Sequence, residues 1–409
     1  MSRPSILIAG ASIAGPALAL WLTRYGWDTT IVERAPAFRT GGQNIDIRGA
    51  AREVLRRAGL EDAVRAANTG EVGTRFLGAG GAVVAEFPVQ KSETAGATAE
   101  LEILRGDLAR IFVDAGDGQT EYLYGDRIVA LDDTGTDVVV TLESGTERRF
   151  DVVVAADGMR SSTRGLVFAD GVSLRPLGME MTYLTIPRTD ADTSWWNWYN
   201  EPGGLAVTLR PDRHGTTRAV LSSVIYGDRD EAAGGRRSRD EQKDHLRQQF
   251  AHVGWQAPRV LDALDGADDM YFETIGQVKA EQWSRGRVAL TGDAAWCASP
   301  VSGMGTSLSV VGAYVLAGEL AAHVDHRDAF AGYERVMRPY VDQAQRLPPG
   351  VPQIANPRTR LGLETFRVAL RIASSPVAGK LSGRLFSPPA DKIDLPDYAH
   401  LEQVASGPW

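Results

Sequence analysis

Gly10-Ala11-Ser12-Ile13-Ala14-Gly15 stands between an apolar run and a helix-forming run, and Glu33 follows 23 residues after Gly10. A turn of this kind aims the free N–H groups of a helix start at a pyrophosphate, with Gly10 permitting the tight turn and Gly15 letting helix and strand pack closely. Ser12 replaces the second glycine of the usual G-x-G-x-x-G and takes some room beside the phosphate, while Ile13 and Ala14 complete the turn. The Glu33 carboxylate can accept from a ribose hydroxyl, and Arg34 places a cation at the same edge. This segment predicts a bound dinucleotide and leaves FAD and NAD both open. Three further clusters carry chemistry-bearing residues: Arg105-Gly106-Asp107-Leu108, Val154-Ala155-Ala156-Asp157-Gly158-Met159-Arg160-Ser161, and the stretch from Gly292-Asp293 through Pro300 to Gly303-Met304-Gly305-Thr306. A buried acid such as Asp293 needs hydroxyls or N–H groups to satisfy it, whereas Asp157 is also the commonest kind of turn acid.

The elements that must position these residues follow from periodicity. Ser5 to Ala9 is an apolar run of strand length, a helix carried by Ala17, Leu18, Leu20, Trp21 and Leu22 runs from Pro16 to Gly26, and Thr29 to Val32 is a second strand. That is a β-α-β unit, the start of a parallel sheet. Helices are expected at 51–58 and 61–67 around Gly59, and at 105–115. Strands are expected at 138–142, 152–156 and 288–290, with a long helix at 307–322. Between Met179 and Tyr226, short β-rich runs separated by Pro187, Pro202-Gly203-Gly204 and Pro211-Asp212-Arg213-His214-Gly215 predict antiparallel sheet. The fold class is α/β: a Rossmann-type domain over 1–173 and 279–345, an inserted, mainly antiparallel sheet domain over 174–278, and a C-terminal helical segment over 346–409. Residues 72–100 are candidates for the sheet lobe.

Composition sets the outer bounds. At 409 residues, 23% charged and 43% hydrophobic, the chain can bury a large core and does not read as disordered. A net charge of -8 gives no reason to expect nucleic acid, and the short basic run around Arg236, Arg237 and Arg239 reads as a solvated loop. The single cysteine, Cys297, rules out an internal disulfide and multi-cysteine metal sites, and the scattered histidines lack metal spacing, so no metal is expected. No membrane partner is expected either. The apolar stretch from Val310 to Val324 is interrupted by Gly312, Gly318, Glu319 and His323, short of the roughly 18 continuous residues of a span. A cytoplasmic protein is the expectation, with its oligomeric state open.

The D-G segment at Asp157-Gly158 and the G-D segment at Gly292-Asp293, with Pro300 and the downstream glycines, join the fingerprint and Arg105 in one order and spacing. This combination resembles the group A flavoprotein monooxygenases of the p-hydroxybenzoate hydroxylase fold, over about the first 345 residues. Gly41-Gly42-Gln43-Asn44-Ile45-Asp46-Ile47-Arg48 resembles the flavin-edge segment of the tetracycline-inactivating and antibiotic-tailoring hydroxylases of that family. The resemblance implies FAD as cofactor, held by Gly10, Ser12, Ile13, Ala14, Gly15, Glu33, Arg34, Arg48, Arg105, Asp157, Gly292, Asp293, Pro300, Gly303, Met304, Gly305 and Thr306. It places Asp293 at the ribityl or pyrophosphate region, and Asp46, Arg48 and Pro300 at the flavin edge.

It further implies NADPH or NADH as transient reductant and O2 as co-substrate. The oxygen would be delivered through a C4a-hydroperoxyflavin to a small organic molecule, of aromatic or polyketide type, beneath the sheet lobe. Met181 and Trp198 are the pocket candidates, and no general base is named. Two other readings remain: a non-oxidative cyclisation or rearrangement on the same fold, and a flavin-binding protein without turnover. Trp195, Trp196 and Trp198 suggest the W-x-W-x-I-P motif of flavin halogenases, but Tyr199-Asn200-Glu201 follows and the motif fails. His214 is expected in an exposed turn, and Cys297 as a packing residue. Beyond Gln345, Leu-Pro-Pro-Gly-Val-Pro breaks the preceding helix. Leu363, Phe366, Val368, Leu370 and Ile372 then mark a helix expected to pack across both lobes and close the pocket.

Overall fold

The computed structural model describes residues 3–89, 101–226, 237–375 and 393–402. Its first sheet is six-stranded, with strands Ser284–Arg285, Val288–Leu290, Val152–Ala155, Ser5–Ala9, Asp28–Glu33 and Thr120–Tyr124 side by side in that order. All pairings are parallel except that of Ser284–Arg285 with Val288–Leu290. Val152–Ala155 and Val288–Leu290 are buried throughout, as their unbroken apolar sequence requires of strands covered on both faces. The first helix, Ala14–Arg24, begins two residues before Pro16, and Gly26, at a φ of 84°, turns the chain into the second strand.

The middle of the chain builds a seven-stranded sheet in the order Tyr271–Ala280, Val172–Pro187, Thr216–Val224, Leu205–Pro211, Trp196–Glu201, Gly73–Leu77 and Val83–Pro88. It is antiparallel except where Trp196–Glu201 meets Gly73–Leu77. One face is apolar and carries helices Arg239–Phe250 and Ala257–Asp262: Leu184, Tyr199, Val207 and Leu221 pack there with Leu246, Phe250 and Val260. Strand alternation turns Met181, Tyr183, Trp196, Trp198, Arg210 and Glu273 to the other face.

Helix Gly305–Ala322 runs through the main core against Ala14–Arg24 and His326–Ala344. By length and composition it could cross a membrane, contrary to the reading of its sequence, but most of it is buried inside the protein. Its glycines permit close contacts instead of marking breaks: a Cβ on Gly312 would come within 2.8 Å of the Trp296 ring.

The basic run departs from its sequence reading. Arg236 lies outside the described residues, but Arg237 pairs with Glu180 at 2.9 Å and stacks on Phe272, and Arg239 donates to the Ala267 carbonyl at 2.6 Å. Both are tied to the sheet lobe because acceptors from distant parts of the chain meet them there. The C-terminal helix forms at Arg360–Ala373 and packs chiefly on strand Val83–Pro88, with Phe366 edge-on to Phe76. Val368 and Ile372 are exposed, so only part of the apolar stripe read from sequence is core. The contact with the first domain is made by residues 393–402, where Arg57 donates to the Pro396 carbonyl and Tyr398 to Glu319 at 2.5 Å.

Candidate cofactor and substrate cleft

The fingerprint turn is built as its glycines require. Gly10 has a φ of 108°, and a Cβ on Gly15 would lie 2.0 Å from the Gly10 carbonyl oxygen, which no side chain can occupy. The Glu33 carboxylate accepts the N–H groups of Ala11 at 3.0 Å and Ala35 at 2.9 Å, fixing the acid at the mouth of the turn with lone pairs to spare. Arg105 starts its helix on the far side and donates to Ser12 Oγ at 2.8 Å. Gly42 makes room for it: a Cβ there would be 2.7 Å from Arg105 Nε. Burial pulls the Arg105 guanidinium below its usual range, with Arg39 adding to the effect. No carboxylate among the described residues forms an ion pair with Arg105, so a cation faces the turn without a neutralising partner. Arg34, by contrast, is exposed, and the ion pair of Glu33 is with Arg39, at 3.9 Å.

The D-G and G-D segments meet below this turn. Asp157 accepts from Ser161 Oγ and from the Thr163 N–H at 3.1 Å, bracing the start of helix Ser162–Val167, whose cap is Ser161 accepting the Arg164 N–H at 2.8 Å. Arg164, which sequence reasoning missed, joins the two segments by donating to the carbonyls of Ala294 at 2.8 Å and Met159 at 2.9 Å. Gly292, at a φ of 59°, sits where a Cβ would come within 3.0 Å of Ala14, locking the G-D turn to the fingerprint helix. Asp293 faces the cleft, and burial raises its carboxyl above the usual range, offset in part by Cys297 and Arg105. Cys297 is buried, with its Sγ 3.6 Å from the Gly276 carbonyl. Pro300 is exposed in a short turn and Gly303 is left-handed, whereas Met304 points into the core and its N–H is taken by Ser302 Oγ. Met304 therefore offers no side chain to a ligand. Gly305 and Thr306 open the long helix, whose first N–H groups have no intrahelical acceptor.

Strand Asn44–Ile47 pairs antiparallel with Leu101–Leu104 beside this cleft. Arg48 is buried and held by Asp46 at 2.8 Å, so the two act as one neutral unit, while Asp46 keeps one buried oxygen, Oδ1, without a partner. The seven-stranded sheet closes the far wall. Trp198 stacks on Phe76 with ring centres 5.6 Å apart and lies 5.1 Å from Trp196, itself under the Arg210 guanidinium at 4.1 Å. Arg210 is fixed by Glu71 at 2.8 Å and by Glu102, and burial pushes the Glu71 carboxyl well up. Arg218 donates to the Gly42 carbonyl at 3.3 Å and joins this wall to the flavin-edge segment. His214 is exposed but touches Asp107 at 3.1 Å.

The cleft thus combines a phosphate-ready turn, an unpaired cation, a cleft-facing acid and an aromatic wall. The FAD binding domain family matches residues 3–346. A flavin-dependent monooxygenase of a Phoma species is 35% identical, covering 98% of this chain and 99% of that protein. The crystal structure of the tetracycline destructase Tet(55) superposes with a TM-score of 0.79 at 33% identity, over 97% of this chain and 99% of that one. The Klebsiella pneumoniae HpxO structure with FAD and uric acid, at 20% identity and a TM-score of 0.71 over 94% of this chain and 97% of that one, shares the fold. The chain belongs to the FAD-dependent monooxygenases built on the FAD binding domain.

Proposed function

We propose that the protein uses NAD(P)H and O2 to hydroxylate or otherwise oxygenate a small aromatic, polyketide-type molecule in the cytoplasm. The observation that carries this reading is the unneutralised Arg105 facing the fingerprint turn across the cleft from an aromatic sheet face. Gly10 to Gly15, Glu33 and Arg105 would hold the adenosine and diphosphate, Asp293 the chain of hydroxyls, and the first turn of Gly305–Ala322 the ring's electron-rich edge. FAD, when bound, supplies the transfer of electrons from the nicotinamide to O2 and of one oxygen atom to substrate. The protein's own part is to bind, orient and exclude water. Stacked Trp198 and Phe76 offer a flat apolar surface, and Arg210 with its two glutamates fixes the Trp196 ring beside them.

The purified protein should be yellow, and its NAD(P)H oxidation should rise with substrate, with product carrying one atom from isotopically heavy O2. A colourless protein that takes up no added FAD would refute the cofactor assignment. Product free of the heavy isotope would refute the oxygenation. Bulky changes at Met181 or Trp198 should shift substrate preference by about tenfold or more while flavin content stays within about twofold, as expected for a pocket contact of one to three kcal/mol. If flavin content and product yield fell together, these residues would belong to the fold core.

A further inference from the structure

Glu273 carries no motif, yet strand register brings it opposite Met181, on the face turned to the cofactor cleft. Its neighbour Phe272 points the other way, into the helix-covered core. Tyr271, half exposed, donates to Glu273 Oε2 at 3.3 Å, and Tyr183, almost wholly buried, faces the same carboxyl from the adjacent strand, its ring 6.4 Å from that of Tyr271. Across the cleft stand Asp293 and Cys297 from the G-D turn, Arg160 from the D-G segment and Arg105. Among the described residues neither Glu273 nor Asp293 has an ion-pair partner. Two carboxyls therefore face one cleft that is to receive an anionic diphosphate, a charge arrangement that favours a neutral acid.

We propose that Glu273 is the proton-holding residue of the cleft: it takes up a proton as the dinucleotide binds, with Tyr271 linking it to solvent and Tyr183 to the interior. This rests on the FAD-dependent reading above. The net reaction proposed there, substrate plus O2 plus NAD(P)H plus one proton giving oxygenated substrate, water and NAD(P)+, draws one proton from solvent. Glu273 is a protein acid placed where that proton would enter. Burial, followed by the Asp293 charge, raises its carboxyl to about 7, within reach of solution pH.

The sign of the linkage is fixed. The free protein loses the Glu273 proton through about pH 7, and a diphosphate nearby pushes that loss to higher pH. Between the two values the complex holds a proton that the free protein lacks, so FAD affinity is highest below pH 7 and falls above it. A decline of about 3- to 10-fold between pH 6 and 9 is expected for a further rise of half to one unit, measured by flavin fluorescence titration. Glu273→Gln should remove the decline and bind at pH 9 nearly as tightly as the parent at pH 6. Tyr271→Phe removes a hydrogen bond that favours the carboxylate and should move the midpoint upward. An unchanged pH dependence in Glu273→Gln, or a flat dependence in the parent, overturns the proposal, as does an unmoved midpoint in Tyr271→Phe. Failure of the parent to bind FAD at any pH would instead overturn the cofactor reading.

Discussion

Asp293→Ala is expected to weaken FAD binding by about 10- to 100-fold, the loss typical of a hydrogen bond to a charged acceptor in a buried site. The carboxyl is pushed up by burial, has a hydrogen bond with the Cys297 thiol and no cation in ion-pair contact among the described residues, so it keeps lone pairs for a donor from the ligand. Cys297→Ser, four residues on in the same turn, keeps a donor of similar size beside both Asp293 and the Gly276 carbonyl and should leave affinity within about threefold. Equilibrium dialysis of both variants at one pH makes the comparison. Similar losses in the two would remove Asp293 from cofactor binding and assign the effect to the fold of the turn.

The second large effect is expected at the chain's end. Truncation after Gln345 removes the Asn356 contact to Asn200, at 3.0 Å, the Arg358 carbonyl that accepts from the Gly203 N–H at 2.7 Å, and the return of Tyr398 onto the long helix. The Tyr398 ring lies against Gly318, where a Cβ would come within 2.1 Å of it, and its hydroxyl serves Glu319, whose other oxygen has no hydrogen bond among the described residues and faces His323 at 3.6 Å. Losing that donor leaves a buried carboxyl further unsatisfied, so Tyr398→Phe alone should cost about 1–3 kcal/mol. The truncation should cost more, and by opening the edge of the sheet lobe to water it should uncouple NAD(P)H oxidation from product formation. Denaturant melts and the ratio of product to NAD(P)H consumed test this. An unchanged melt with unchanged coupling would make the segment dispensable.

The sequence was most legible where one local pattern determines one local structure. The fingerprint, with Gly10 turning and Gly15 packing, could be read because steric demand on those positions is absolute. Strands 152–155 and 288–290 could be read because burial on both faces leaves an unbroken apolar run. What stayed hidden depends on register and distant pairing. Glu273 reaches the cleft only because it falls opposite Met181 and not one residue later, and a one-residue slip would turn it to the helices. Glu71, Glu102 and Arg210 lie far apart in sequence and meet only when strands Leu101–Leu104 and Leu205–Pro211 converge with the segment before Gly73–Leu77, so no window shows them. Periodicity located helix Arg360–Ala373 but not its partner, and Val368 and Ile372 proved to be on the open side. Arg34 and Met304 were inferred from position in a motif, and the direction of their side chains was not in the motif.

The strand order of the six-stranded sheet bears on how the protein is made. Its central strand, Ser5–Ala9, precedes all its partners along the chain, but one neighbour arrives at Val152–Ala155 and the next strand outward at Val288–Leu290. Every strand of the seven-stranded sheet, by contrast, has been translated once Ala280 emerges. The cradle for the dinucleotide is therefore finished late: Ser5–Ala9 gains its second neighbour only once Val152–Ala155 is made, and Val152–Ala155 then waits, apolar and unpaired on one edge, until Val288–Leu290 emerges. Such a strand is an aggregation hazard for the nascent chain, and long-range parallel pairing is slow to form. The strand order thus leaves an unpaired apolar edge open during synthesis, the kind of surface that chaperones shield.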